Sequence, residues 1–397
     1  MAFKEFRYKV ELTYLNNKEE VNITTESINS ICIDSDYFGK KAFPVVYIDI
    51  NLKNTIYNKM LSNIEKGTVI FSLSKFAVSE DNSTTETKVI KDEFLYFFDN
   101  TNLSEDSMQS EDKDEYEEYK NLRMGLVNLS ILNMCKTMNN DVVSGSMSNI
   151  LFYYLRYAKK IIMEPLSNNN TFSNLIIPPI PTLNKLLKYL NNISSFYNSS
   201  YRFFIDLNKT AYLLSNSGKS VETKDSTYSS IIMKVVPDDN ADNKYKEPGI
   251  EIDSQNKCYI LYLNSINTTL TENLYKDKEI SKIVSISTNG SVKESTLDTC
   301  KNSKGDRVSI IRTFNENNSE VSSLSNLYEN SKIMMNITKE GVDCSLITPE
   351  KSINITNENS TKYYGKYILV GKQELYIMND ASNFTCNTIL KLMKVKS

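Results

Sequence analysis

The stretch that decides the fold is residues 175–215, LIIPPIPTLNKLLKYLNNISSFYNSSYRFFIDLNKTAYLLS. Its first part predicts an amphipathic helix, because apolar residues recur with a period of 3.6 at Leu183, Leu186, Leu187, Leu190 and Ile193. Thr182 is placed to cap this helix, since Pro181 favours extended backbone and a short hydroxyl can bond the free amides of the first turn. Two strands follow, around 201–207 and 212–214, joined by a polar turn.

The composition is that of a folded chain with more than one domain. At 397 residues the chain is too long for a single compact core, so two or three domains are expected. Apolar residues make up 40% and charged residues 24%, which is ordinary for a globular protein. The net charge of −3 argues against binding nucleic acid, which needs clustered Lys and Arg. Residues 1–20 carry charges throughout, unlike a signal peptide, and no apolar run is long enough for a membrane span.

Several classes of catalysis are excluded by residue type. The chain has no His, which removes the usual general base, the Ser-His and Cys-His nucleophile pairs and imidazole metal ligands. Its 11 glycines form no phosphate-binding loop. The six cysteines form no CxxC pair, and we expect reduced, buried thiols at Cys32, Cys135, Cys258, Cys300, Cys344 and Cys386. The prediction is therefore that no metal and no cofactor is bound, and carboxylate-pair hydrolysis is the chemistry left open.

Period-2 patterns dominate the N-terminal quarter of the chain. Phe6, Tyr8, Val10, Leu12 and Tyr14 alternate with polar neighbours. Further strands are predicted at 28–33, 43–50, 68–76 and 89–98, with a short helix within 54–65. Strands of this length separated by polar turns indicate a small barrel or sandwich, and we predict an N-terminal β-barrel domain at 1–99.

The middle of the chain is predicted to be helical. Residues 100–121 are an acidic loop or linker, and the alternative is that its 104–118 stretch is an acidic patch facing a basic partner. Residues 122–164 show apolar stripes with helical spacing, broken at Ser144-Gly145-Ser146, and 165–181 are a Pro- and Asn-rich connector. We therefore expect a helical linking domain at 122–200.

The remainder, 201–397, is predicted to form a second β-barrel domain with an inserted region at about 237–330. Strands are expected near 227–236, 258–263, 280–287 and 308–313. The C-terminal strands, at 333–337, 344–346, 353–355, 367–370, 373–377 and 385–395, suit an antiparallel meander. The predicted fold class is α+β and β-dominated, with two small antiparallel β-barrel domains and a helical middle segment.

The order of these signals resembles the baseplate hub proteins of contractile tails, which include the phage late-control family and the hub part of type VI secretion spike proteins. In that family a helix leads through a Y-N-S-x-Y-x-F piece into the first strand of a barrel, and Tyr197–Phe203 has this pattern. A T-P-x-K-x-I-x-I strand at Thr348–Ile355 precedes Y-x-G-K-Y-x-L at Tyr363–Leu369. A closing hairpin then ends in Phe384–Leu392. These matches cover about 100 of the 397 residues.

The resemblance implies a structural role in a homotrimer. Two similar barrels per subunit would give a ring of six barrels, which matches a six-fold tail tube on one side and a three-fold central spike on the other. The implied partners are the tail tube protein, other baseplate wedge proteins and a spike that is a separate chain, since no repeat-rich tail follows the closing hairpin. The implied location is the baseplate of a virion or injection particle that is made and assembled in the bacterial cytoplasm.

Two other functions compete with the hub. The first is a carboxylate-dependent cell-wall hydrolase of the tail tip, for which Asp206 and Glu374 on the barrel rims are candidates, although Asp206 is also placed to cap its turn. The second is a receptor-binding or adhesion β-protein that stacks glycans on tyrosine, although the tyrosines are as frequent in strands as in loops, which favours packing. We predict the hub, with no enzymatic activity and no catalytic residue.

Overall fold

The computed structural model describes residues 3–16, 19–38, 41–79, 84–99, 119–197, 201–221, 228–236, 250–264, 268–272, 282–287, 292–296, 308–313, 333–357, 364–380 and 383–395. The acidic stretch 104–118, most of the predicted insert 237–330, and Cys300 and Tyr363 lie outside these residues.

Strands predominate throughout the described chain. In the N-terminal half the elements are β1 (Phe3–Asn16), β2 (Glu19–Ile23), a 3-10 turn (Thr25–Ser27), β3 (Ile28–Asp36), β4 (Val45–Lys53), α1 (Asn54–Ser62), β5 (Thr68–Ser79), β6 (Thr84–Asp99), β7 (Tyr119–Asn128), α2 (Leu129–Cys135), β8 (Lys136–Ser146), α3 (Met147–Leu155), β9 (Lys160–Met163), β10 (Thr171–Thr182) and α4 (Leu183–Ser194). In the C-terminal half they are β11 (Tyr201–Ile205), β12 (Thr210–Ser215), β13 (Ser230–Val236), β14 (Ile250–Asp253), β15 (Cys258–Asn264), β16 (Thr268–Glu272), β17 (Lys282–Ser287), β18 (Val292–Thr296), β19 (Val308–Thr313), β20 (Ile333–Glu340), β21 (Ser352–Asn357), β22 (Gly365–Asp380) and β23 (Asn383–Lys394).

Eight antiparallel strands form a closed barrel. Their order is β1-β5-β6-β7-β4-β3-β22-β23, and the circle closes where Tyr8 of β1 pairs with Phe384 of β23. Six of the eight strands lie before residue 129, and β22 and β23 come from the C-terminus. The closed barrel therefore needs both ends of the chain.

The barrel interior follows from the strand period of two, which sends alternate side chains to opposite faces. In β4 the buried residues are Val46, Ile48, Ile50 and Leu52, and their neighbours are partly exposed. Helices α2, α3 and α4 extend the same core outside the barrel. We call this cluster the barrel core, which includes Val10, Ile48, Phe71, Ile131, Leu151, Leu187 and Phe203.

A second sheet continues from the same two C-terminal strands. Its order is β14-β15-β13-β21-β22-β23-β20-β16, with β13 parallel to both β15 and β21. Among the described strands, β14 and β16 are its two edges. It encloses the second core, which includes Phe204, Tyr212, Met335, Ile353, Tyr367 and Leu390.

β22 crosses from the second sheet into the closed barrel at Gly371. Tyr367 pairs with β21, whereas residues from Gly371 onwards pair with β3, and the register on β23 shifts between Leu369 and Gly371. A Cβ at Gly371 would lie 3.3 Å from the backbone oxygen of Ser35, so the close approach of the strands leaves little room for a side chain.

The predicted helix at 122–164 is wrong in three places. Residues 119–128 form β7, residues 136–146 form β8 and residues 160–163 form β9, while only α2 and α3 are helical. In β7 the buried residues Leu122, Met124 and Leu126 follow a period of two. β7 lies between β4 and β6, and their free backbone groups complete its hydrogen bonds. The apolar spacing of this segment also fits a helix, and pairing with the neighbouring strands is what makes it a strand.

Three other local predictions need correction. The connector 165–181 contains β10, which pairs with β8 in a two-stranded ribbon. The strand predicted at 344–346 is a turn, because Gly341 has φ 67° and the Asp343 carboxylate accepts the amide of Ser345 at 3.1 Å. The separate strands predicted at 367–370 and 373–377 are the single strand β22.

The β-dominated α+β fold class is confirmed by the closed antiparallel barrel and the few short helices. α1, α4 and most predicted strands lie where the patterns placed them. Of the described cysteines, Cys135, Cys258, Cys344 and Cys386 are buried free thiols, and Cys32 is partly exposed. The division at 1–99, 100–121, 122–200 and 201–397 stays a prediction.

Candidate functional site

The small sheet β9-β12-β11 lies between the barrel core and the second core. Every residue of β12 is buried, as are residues 202–205 of β11. Phe203 belongs to the barrel core and Phe204 to the second core. Phe204 contacts the ring of Tyr37 edge to face, with the ring centroids 4.7 Å apart. Adjacent residues of one strand therefore join the two cores.

Helix α4 sets the position of β11. The Thr182 hydroxyl accepts the amide of Lys185 at 3.4 Å, as the sequence predicts for the N-cap. At the other end Ser195 takes a left-handed conformation with φ 50°, and the Asn191 side chain accepts the amide of Phe196 at 3.0 Å. Both ends of the helix are thus closed by local polar groups, while its apolar face packs in the barrel core.

Arg202 is a buried cation that ties β11 to the C-terminal part of the chain. Its guanidinium donates from Nη2 to the carbonyl of Pro349 at 2.9 Å, and from Nη1 to the carbonyl of Leu369. Its Nε donates to the carbonyl of Ser215 at 3.4 Å. Burial lowers the pKa of Arg202 to about 10, against the opposing effect of Glu164 and Glu350. The side chain is charged at neutral pH and satisfies three backbone acceptors.

Glu164 is a buried carboxylate that acts electrostatically on Arg202. Its carboxylate accepts the amide of Ser215 at 2.8 Å. Its backbone carbonyl accepts the Tyr197 hydroxyl at 2.9 Å. We call Glu164, Arg202, Ser215, Pro349 and Leu369 the polar joint, because they connect the helical layer, the small sheet and β22.

Asp206 closes the turn between β11 and β12. One carboxylate oxygen accepts the amide of Thr210 at 2.8 Å, and the other accepts the hydroxyl of Tyr212 at 3.1 Å. Lys209 at the turn has φ 64°, a left-handed conformation. Burial raises the pKa of Asp206, and these hydrogen bonds oppose the rise. The turn-capping interpretation of Asp206 is confirmed.

Glu374 lies on β22 beside a buried lysine. Lys372 Nζ is 3.1 Å from a carboxylate oxygen of Glu374 and donates to the carbonyl of Cys344 at 3.0 Å. Burial disfavours the charge on Lys372, but Glu374 outweighs it and the pKa of Lys372 is raised. Burial also raises the pKa of Tyr37, and Glu374 and Asp206 both add to that rise. The two predicted candidate carboxylates therefore share an electrostatic neighbour.

Asp206 and Glu374 each have a structural role that does not involve a substrate. Asp206 holds a turn and Glu374 compensates the buried charge of Lys372. Within the described residues, no group of three or more acidic or cysteine side chains is placed to hold a metal ion. None of the described helices is long and apolar enough to span a membrane. That no residue is catalytic stays a prediction.

A second ion pair connects the closed barrel to the loop after β20. Lys75 of β5 donates to the Asp343 carboxylate at 2.7 Å, and both side chains are mostly buried. Burial raises the pKa of Asp343, but the bond from Lys75 outweighs it and the pKa lies below its usual value. This contact joins residues 268 positions apart in the chain.

An exposed aromatic surface lies at the C-terminal end of α3 and in the turn that follows it. Phe152, Tyr153 and Tyr157 are 45%, 46% and 67% exposed. The Arg156 guanidinium lies between two of these rings, 3.9 Å from the centroid of Tyr153 and 4.6 Å from that of Tyr157. We call Phe152, Tyr153, Arg156 and Tyr157 the α3 patch. Its composition of Tyr, Phe and Arg is typical of protein–protein interfaces.

The sequence patterns predict neither the polar joint nor the α3 patch. A buried Arg or Glu has no local signal, because its partners are carbonyls from distant segments. The α3 patch does have a local sequence signal. Its aromatic residues Phe152, Tyr153 and Tyr157 lie off the apolar stripe of the helix, which includes Ile150, Leu151 and Tyr154. Large aromatic residues on the polar side of an amphipathic helix indicate a contact surface.

The structure is similar to solved structures at very low sequence identity. A tail protein from Neisseria meningitidis MC58 superimposes with a TM-score of 0.53 at 10% identity, over 98% of this chain and 96% of that chain. The fold of this chain is thus the fold of a tail protein. A Francisella PdpA-VgrG complex gives a TM-score of 0.47 at 9% identity, and its matched chain is covered over 58% of its length. Prophage tail protein gp18 from Listeria monocytogenes EGD-e gives 0.41 at 10% identity, with 98% and 95% covered.

A family model matches almost the whole chain. No curated protein matches. The model of the bacteriophage PBS1 gene 109 protein matches residues 3–395, which include the closed barrel, the polar joint and the second sheet. The chain therefore belongs to the family of the bacteriophage PBS1 gene 109 protein.

Proposed function

We propose that this protein is the hub of a tail baseplate, a homotrimeric ring that joins a six-fold tail tube to a three-fold central spike. The contractile tail of a phage, or a related injection machine, is the proposed particle. The observation that carries the proposal is the sharing of β22 and β23 between the closed barrel and the second sheet. Two β-units in one chain, held in a fixed relation, are what a symmetry adaptor needs.

The rigidity of this connection supports a structural role. A flexible linker between the units would let each follow its own partner, whereas two continuous strands transmit orientation from one unit to the other. The polar joint adds a charged contact at the same place, where Arg202 bonds carbonyls at positions 349 and 369. Load at one end of such a ring would reach the other through hydrogen-bonded strands.

Family and fold support the same conclusion. The family is a bacteriophage family, and the tail protein of similar fold is matched along almost its full length. We therefore infer that the protein is a component of the virion baseplate, assembled in the bacterial cytoplasm. Its proposed partners are two further copies of itself, the tail tube ring, a spike protein and baseplate wedge proteins, with no nucleic acid and no membrane insertion.

No catalysis is part of this proposal. Asp206 and Glu374, the carboxylates that a wall hydrolase would use, both have structural partners in the described residues. We infer that the hub acts by position alone and needs neither metal nor cofactor.

Light scattering coupled to size exclusion tests the homotrimer, and negative-stain electron microscopy tests the ring. The expected result is a mass three times that of the chain, alone or with the spike protein, and a ring of about tail-tube width. A monomer alone is weaker evidence, because a spike can be needed to close the ring. Monomers both alone and with the spike protein would overturn the proposal.

A further inference from the structure

The α3 patch is arranged before any partner arrives. Arg156 donates from Nη1 to the carbonyl of Tyr153 at 2.7 Å and from Nη2 to the hydroxyl of Tyr157 at 3.0 Å. The guanidinium is therefore held between two rings in a fixed orientation, although it lies at the surface. A fixed side chain loses little conformational freedom on binding, which favours contact with a partner.

The chemistry of the α3 patch selects an acidic partner. A guanidinium is the side chain best suited to bind carboxylates, and its aromatic neighbours can stack on a second aromatic ring. Lys159, also exposed, follows the patch in the chain and adds another positive charge. An acidic segment with an aromatic residue would complement this surface.

This chain carries such a segment at 104–118, SEDSMQSEDKDEYEE, with Tyr116 near its end. It has eight acids and one lysine, which is a net charge of −7. Since the whole chain has a net charge of −3, the rest of the chain carries −3 − (−7) = +4. The two parts of the chain are opposite in charge.

Most acids of the segment are too close in sequence to Tyr119 to reach the α3 patch of their own copy. It joins β7 at Tyr119, and the ten residues of β7 extend about 30 Å to Asn128. The patch is at the Asn128 end of β7, where a series of hydrogen bonds leads to Lys159, two residues after Tyr157. The Asn128 side chain donates to the Asp92 carboxylate at 3.2 Å, and Lys209 Nζ donates to the same carboxylate at 2.8 Å. The backbone carbonyl of Lys209 then accepts the amide of Lys159 at 2.9 Å.

Chain length sets the reach of the acidic residues. Six of the eight acids lie within eight residues of Tyr119, namely Glu111, Asp112, Asp114, Glu115, Glu117 and Glu118. Even fully extended from Tyr119, eight residues reach only about 27 Å, which is less than the length of β7 alone. The other two acids, Glu105 and Asp106, are tethered instead at Asp99 of β6, which pairs with Arg123. Contact with a second copy has no such restriction.

We propose that the acidic segment 104–118 of one copy docks on the α3 patch of a neighbouring copy. The occupant is thus a segment of this chain, bound in trans through carboxylates on Arg156 and stacking on its flanking tyrosines. The inference deepens the proposed homotrimer by assigning one of its contacts, and it rests on that proposal only for the number of copies.

A peptide titration tests the contact directly. A fluorescent peptide of residues 101–119 is added to the full chain in which 104–118 is replaced by a Gly/Ser linker, and anisotropy is measured. We expect saturable binding that weakens with added salt. Arg156→Glu should weaken it at least tenfold, whereas Lys188→Glu, an exposed cation on α4, should change it less than twofold. Equal binding by Arg156→Glu, or no binding of the peptide, would overturn the proposal.

Mixing two variants distinguishes contact between copies from contact within one copy. The linker variant keeps the α3 patch and Arg156→Glu keeps the acidic segment, so only a mixture of the two can form the contact between copies. Light scattering should show that each variant alone self-associates at least tenfold more weakly than the wild type, and that the mixture regains association. Circular dichroism melting should show both variants folded.

The outcomes separate this inference from the proposed function. Unchanged trimers in both single variants would overturn the docking contact and leave the hub intact. Monomers in every sample, including wild type with the spike protein, would overturn the homotrimer, and the peptide titration would still decide whether the segment binds the patch.

Discussion

At the scale of residues, the two parts of the molecule are held together by neighbours on one strand. Phe203 and Phe204 are both almost fully buried, yet they contribute to different cores. Arg202, directly before them, bonds backbone carbonyls of the C-terminal strands. A few residues of β11 therefore carry apolar contacts to both units and a charged contact between them.

The variants Phe203→Ala and Phe204→Ala should each lower the free energy of unfolding by about 3–5 kcal/mol, because each leaves a cavity in a closely packed core. Chemical denaturation of the full chain measures this loss. Leu61→Ala on the exposed face of α1 is the control, and it should change stability by less than about 1 kcal/mol. Wild-type stability in either buried variant would show that β11 is wrongly placed.

The Lys75–Asp343 contact predicts a pH-dependent contribution to stability. The folded-state pKa of Asp343 lies below its ordinary value of 3.8, so the carboxylate stabilises the fold above that pH. The contribution is lost as the pH falls through the folded-state pKa. Asp343→Asn should cost about 1.5–3 kcal/mol at neutral pH, since a charged hydrogen bond is lost.

Denaturation at neutral pH and in acid checks this sign. The difference between wild type and Asp343→Asn should narrow steadily as the pH falls below 3.8. Glu11→Gln, in an exposed pair with Lys9, is the control and should have little effect at any pH. A difference that stayed constant from neutral pH into acid would contradict the assigned role of Asp343.

At the scale of elements, neighbouring strands decide whether a segment forms a helix or a strand when its apolar pattern fits both. The apolar positions of β7 fit either a helix or a strand, and pairing with β4 and β6 selects the strand. α4 needed no such help, because its caps and its stripe of leucines point to the same structure. The helix with consistent local signals was predictable, and the strand that depends on partners was not.

The acidic stretch 104–118 should be dispensable for folding. It has almost no apolar residues to bury, and loop length costs little entropy. Replacing it with a neutral Gly/Ser linker should shift Tm by less than about 5 °C, on the order of 1 kcal/mol. A larger fall that does not depend on protein concentration would mean that the stretch packs against its own fold, which would also argue against docking on a second copy.

At the scale of the whole molecule, the closed barrel depends on chain ends that are far apart in sequence. β22 fills the place between β3 and β23, and β23 pairs with β1. These two strands also form the middle of the second sheet. Neither unit can lose β22 and β23 without leaving unpaired strands and an open core.

A fragment of residues 1–135 should therefore fail to fold cooperatively, although it contains six of the eight barrel strands. The missing strands would leave β1 and β3 with free edges and expose the barrel core. Urea denaturation of the fragment should show no sigmoidal transition, whereas the full chain should show one. Cooperative unfolding of the fragment alone would contradict the dependence on β22 and β23.

The sequence by itself determined the β-dominated fold class, α4 with its cap, the Asp206 turn and the resemblance to tail hub proteins, because periodicity and turn chemistry act within a few residues. Only the tertiary structure decided that β7 is a strand, that both chain ends build one barrel, and that Arg202 and Glu164 meet in the polar joint. These features depend on hydrogen-bond partners and buried charges that lie up to hundreds of residues apart, and no local pattern records such contacts.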